Sequence, residues 1–115
     1  MNMQLVEEIK TAYADHVLGY EKGKGIRNLD FRASQSTSPS EACEILKEAL
    51  GKDFGYNEFH PNLLLHFPED CKVTLAREGS VCIYVKTGAK KLPQAGVVMA
   101  DEMDKLGNEI RCWWD

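Results

Sequence analysis

The sixteen residues Cys71-Lys-Val-Thr-Leu-Ala-Arg-Glu-Gly79-Ser-Val-Cys-Ile-Tyr-Val-Lys86 decide the fold. Cys71, Val73 and Leu75 alternate with Lys72, Thr74 and Ala76, and Val81, Ile83 and Val85 repeat the period beyond Glu78-Gly79. A period of two places one set of side chains on each face of a strand, and a glycine between two such runs marks a tight reversal. The stretch therefore predicts an antiparallel hairpin with one apolar face.

Upstream, the period of two extends back to Phe59. Leu63, Leu65 and Phe67 alternate with Leu64 and His66, with Pro68-Glu69-Asp70 as a turn. The antiparallel region is expected to span 59–114. Downstream, Thr87 to Gln94 is a basic loop with Gly88, Lys90, Lys91 and Pro93. Residues 95–106 admit two readings. Ala95, Met99, Met103 and Leu106 keep helical spacing, whereas Val97-Val98-Met99 is β-prone. The turn signal Leu106-Gly107-Asn108 before Glu109–Trp114 favours a hairpin.

Two helices precede this region. Leu5, Ile9, Ala12, Tyr13, His16, Val17 and Tyr20 form an apolar stripe, with Asn2 as cap and Gly19 as stop, so a helix is expected over 3–18. Residues 21–37 read as a basic loop with a short strand near Leu29 and Phe31. Ser38 as cap, Pro39 at the first helical position and Glu41 three residues past the cap predict a helix over 39–50, ended by Gly51. The expected fold is α+β, with two helices packed on one face of a four- or five-stranded antiparallel sheet.

With 115 residues, the chain is expected to form a single domain, 1–115. Fourteen Lys and Arg against eighteen Asp and Glu leave a net charge of −4, which argues against a nucleic-acid binder and is too mild for a nucleic-acid mimic. The charge is segregated. Residues 81–100 carry +3 with no acid, and residues 101–115 carry −3. No apolar run approaches a membrane span and no leader is evident, so the expected compartment is cytoplasmic, with no membrane partner.

Catalytic signatures are thin. Gly19, Gly23 and Gly25 miss both phosphate-loop spacings, and the stretch follows a helix rather than a strand. Cys43, Cys71, Cys82 and Cys112 fit no zinc module and are expected to be reduced. His60 and His66 would share a strand face, but no third ligand has fitting spacing, so no metal and no cofactor is expected. Cys71 near His66 is the sole close thiol–imidazole pair in the sequence, and small core cysteines explain it equally well. No catalytic residue is assigned, and the balance leans away from an enzyme.

Two candidate sites remain. If 109–114 is a strand, Ile110, Cys112 and Trp114 face one side and Arg111 and Trp113 the other. One tryptophan is then core, and the other joins Asp101, Glu102 and Asp104 in an acidic patch. Trp113, Trp114, Asp101, Glu102 and Asp104 are the candidate partner-binding residues, for another protein or protein complex. The bland reading packs Trp113 under the Thr87–Gln94 loop or against a helix. The function expected is a small acidic protein-binding domain acting non-enzymatically, an inhibitor such as an immunity or anti-defence protein by analogy of size and charge. The alternative is a protein or enzyme for an anionic, nucleotide-like molecule, held by Lys24, Arg27, Arg32 and Ser38 at the start of the second helix. The bland reading there is a capped helix with a solvated entry. The terminal strand with its two tryptophans is a candidate sheet edge, which leaves room for a homodimer.

Overall fold

The structure is a computed structural model that describes residues 1–14 and 30–115. Helix α1 (Met3–Ala12) begins at Asn2, whose side chain accepts the Leu5 N–H, and buries Leu5, Val6, Ile9 and Ala12. It ends at Ala12, because Tyr13 leaves helical geometry at φ −111° and directs its hydroxyl to the Ala76 carbonyl; residues 15–18 of the expected helix lie outside the described residues. Helix α2 (Pro39–Leu50) has the expected bounds. The Ser38 hydroxyl accepts the Glu41 N–H at 3.2 Å, and Gly51 closes the far end at φ +103°. His16, Gly19 and the glycine-rich stretch lie outside the described residues.

Five strands form one antiparallel sheet in the order β1-β2-β3-β5-β4. They are β1 (Asp30–Arg32), β2 (Lys72–Glu78), β3 (Ser80–Lys86), β4 (Glu102–Leu106) and β5 (Glu109–Trp114). Gly79 alone separates the paired Glu78 and Ser80, at φ +70°, a conformation that glycine adopts without a Cβ clash. At the β4–β5 turn, Gly107 has φ +67° and Asn108 does not share the positive angle, the pattern of a two-residue turn with glycine first.

Two expectations are corrected. Residues 59–67 are not a strand: Pro61–His66 is a 3-10 helix packed on α2. The His60 ring accepts the Asn62 N–H, Pro61 supplies a helical φ, and Leu64 turns inward while Leu65 stays exposed. The terminal strand is not an edge, because β5 lies between β3 and β4. The ambiguous segment 95–106 is divided between a short helix α3 (Ala95–Val98) and β4, with Met99 in the left-handed region (φ +59°) between them.

The register sorts side chains onto two faces. Val73, Leu75, Val81, Ile83, Val85, Cys112 and Trp114 share one face and belong to a single buried cluster with residues of α1, α2 and the 3-10 helix. Trp114 is the largest member, 1% exposed, with its indole N–H on the Val98 carbonyl and Phe59 edge-on at 4.8 Å. Burying its ring contributes about 3 kcal/mol. Arg77 falls on the same face and is 2% exposed. Its guanidinium donates to the Ala12 carbonyl at 2.7 Å, so a cation meets the partial negative charge at the C-terminal end of α1.

Candidate functional site

The opposite face of the sheet is polar and aromatic, and Arg111 on β5 is its centre. Cross-strand pairing sets Arg111 beside Tyr84 of β3 on one side and Asp104 of β4 on the other. Its Nε donates to both Glu78 carboxylate oxygens at 3.1 Å, reaching past β3 to β2. Its Nη1 donates to Glu102 at 3.0 Å and to Asp104 at 3.1 Å. The guanidinium also lies 5.7 Å from the Trp113 ring centroid.

Glu78 is the second node. It accepts from the Tyr84 hydroxyl and, at 3.4 Å, from the Cys82 thiol, while its backbone carbonyl accepts the Trp113 indole N–H at 3.1 Å. Arg32 completes the face. It stacks over the Tyr84 ring at 4.1 Å and pairs with Glu109 at 2.7 Å.

The charge states follow from these partners. Partial burial alone would raise the Glu78 carboxyl, but hydrogen bonds from Tyr84, Cys82 and Arg111 outweigh it and hold the group below the usual range. Burial and the bond to Glu78 push the Tyr84 phenol above its ordinary value. Desolvation opposes the Arg111 charge, yet Glu102 and Glu78 more than restore it. At neutral pH Glu78 and Arg111 thus stay charged and Tyr84 stays neutral, and none is poised to exchange a proton there.

Three of the four thiols are held in the neutral form by burial. Burial raises Cys82 and Cys43, and it pushes Cys112 up to about 12. Cys71 is buried while His66 is exposed on the 3-10 helix. Among the described residues, no three His, Cys, Asp or Glu side chains converge to hold a metal ion.

The expected partner-binding residues divide between places. Trp113, Glu102 and Asp104 are together on this face, with Trp113 half-buried and both carboxylates exposed. Trp114 is corrected to the core, where a partner cannot touch it without unfolding the sheet. Asp101 is exposed just before β4, and its carboxylate accepts the Asp115 N–H at 2.7 Å. The loop expected to cover Trp113 lies instead near Met103, Lys105 and Ile110, on the alternate side of the β4–β5 hairpin.

Of the expected anion-binding residues, the two described ones, Ser38 and Arg32, are not brought together. Ser38 is committed to the Glu41 N–H, and the neighbouring Ser40 N–H and hydroxyl both donate to Glu69, at 2.9 and 2.8 Å. The start of α2 thus already holds a carboxylate of the chain itself. Arg32 is on the far face with Tyr84 and Glu109, and Lys24 and Arg27 lie outside the described residues.

Glu78 and Tyr84 carry no signal as site residues in the sequence, Glu109 reads there only as one more acid near the tryptophans, and Arg111 only as sharing a side with Trp113. Alternation gives each its side within its own strand. Only the order β2-β3-β5 makes them neighbours. No described helix is long and apolar enough to cross a membrane. In comparisons with known proteins, the chain matches no family model, no curated protein and no solved structure.

Proposed function

We propose that the chain is a non-enzymatic protein-binding domain that docks a basic surface of another protein on the Trp113 face, as an inhibitor covering a site would. One observation carries the reading: a half-buried tryptophan, indole N–H anchored, stands beside a guanidinium surrounded by three carboxylates. Three carboxylates against one guanidinium leave two negative charges at the exposed end of the cluster, on Glu102 and Asp104. A flat aromatic ring held in place loses little entropy on contact, and flanking acids steer a basic partner and fix its register. The fixed protonation states of Glu78, Tyr84 and Arg111 suit recognition better than proton transfer.

The test is capture of partners from native lysate by the tagged chain, with Trp113→Ala and the pair Glu102→Lys/Asp104→Lys alongside. A stoichiometric partner retained by wild type and lost by both folded variants supports this face. A partner retained by all three places the interface elsewhere. Circular dichroism of each variant establishes that loss of capture is not loss of fold.

A further inference from the structure

On the other side of the β4–β5 hairpin, a groove of about 630 Å³ runs between the Thr87–Pro93 loop and the strands. Its floor is aliphatic: Leu92, Met103 and Ile110, all half-buried. Its rim carries Lys90, Lys91 and Lys105. Among the described residues, none of these three ammonium groups is in an ion pair, in contrast to Arg32 and Arg111 on the opposite face. Gathering like charges around apolar surface is unfavourable, and an anion with an apolar body relieves it.

The groove is preformed. The Asp70 carboxylate accepts the Ala89 N–H at 2.7 Å and the Lys90 N–H at 3.3 Å, which fixes the loop at the point where the lysines leave it. Gly88 lies so close to Asp70 that a Cβ would meet the carboxylate at 2.4 Å and the backbone carbonyl at 2.7 Å. At the other wall, the Thr87 N–H reaches the Asn108 carbonyl at 3.5 Å. A site whose walls stand before binding loses little free energy in ordering them.

We propose that this groove binds a small amphiphilic anion: an aliphatic body carrying a terminal carboxylate or phosphate. The volume lies within the roughly 300–1,000 Å³ of small-molecule sites. Among the described residues no aromatic ring lines the groove to stack a nucleobase, and the aliphatic floor matches a hydrocarbon body instead. The site is independent of the Trp113 face, since Met103, Lys105 and Ile110 alternate along their strands with Glu102, Asp104 and Arg111.

The experiment titrates the isotope-labelled full chain with decanoate, decyl phosphate, neutral decanol and the shorter hexanoate, following backbone amide shifts. Saturable shifts confined to the Thr87–Leu92 loop and the Met103–Ile110 hairpin are expected for both ten-carbon anions. The tighter of the two identifies the head group. Hexanoate and decanol should bind more weakly, and Lys90→Gln/Lys91→Gln/Lys105→Gln should weaken both anions by about tenfold or more, since each lost cation removes a charge-assisted contact. Three exposed substitutions leave the spectrum elsewhere intact. Decanol binding as well as the anions, shifts scattered over other apolar surface, an unaltered affinity in the triple variant, or an acidic peptide binding more tightly than either amphiphile would overturn the proposal.

Discussion

Glu78 and Arg111 belong to strands that are not neighbours in the sheet, yet the Arg111 Nε is 3.1 Å from both Glu78 oxygens. The ion pair bridges over β3, beside the Tyr84 hydroxyl and the Cys82 thiol. It ties the middle of the sheet together and holds Arg111 beside Trp113, so the polar face is one connected network rather than a set of independent surface charges.

The pair makes stability depend on acid. An unperturbed Glu78 carboxyl would titrate near 4.5, and the folded value is lower. The unfolded chain therefore takes up the proton first. Glu78 contributes fully above pH 4.5, and its contribution is lost as pH falls from there through the folded value. Urea midpoints measured from neutral pH downward should drop in wild type, and Glu78→Gln should flatten that drop while lowering stability at neutral pH.

Alkali gives the opposite sign at Tyr84. Its ordinary value is 10 and its folded value is higher. The contribution is complete below pH 10 and declines as pH rises past it toward the folded value. Tyrosinate absorbance during a pH titration should show a late-titrating phenol that Tyr84→Phe removes. A wild-type titration with no late step would contradict the hydrogen bond to Glu78.

Adjacent tryptophans should have unequal weight. Trp114→Ala removes a fully buried ring and should destabilise by about 3–5 kcal/mol, enough to unfold much of a marginal domain. Trp113→Ala removes a half-buried ring and one hydrogen bond to a backbone carbonyl, and should cost about 1–2 kcal/mol. Guanidinium unfolding of the two variants separates them, and equal losses would argue against the face assignment.

The α2 cap offers a smaller effect. Ser38→Ala should cost about 1 kcal/mol by freeing the Glu41 N–H. Glu69→Gln keeps its bulk and one acceptor but removes the anion beside the helix start. It should cost about 0.5 kcal/mol, less in high salt. Thermal melts at two salt concentrations check both.

Gly88→Ala tests the wall of the groove. The new methyl would collide with the Asp70 backbone carbonyl as well as its side chain, so the loop must move, at a cost of about 1–3 kcal/mol. Faster amide exchange at Ala89 and Lys90 should accompany the lower melting temperature.

Local chemistry was enough for the elements whose signals are short-range. The bounds of α2 were legible in Ser38, Pro39, Glu41 and Gly51, because a cap and a stop act within one helical turn. The β2–β3 reversal at Gly79, the β4–β5 turn at Gly107 and the opposite facing of Trp113 and Trp114 were legible for the same reason. The apolar run Leu63-Leu64-Leu65 was not, since a short apolar run suits a strand or a 3-10 helix equally, and packing against α2 made the choice. Nor did alternation reveal that β5 lies inside the sheet, that Glu78 meets Arg111, or that three lysines ring one aliphatic groove. Those relations join residues up to 33 positions apart. They depend on strand order and register, which the whole apolar face sets at once when it is buried.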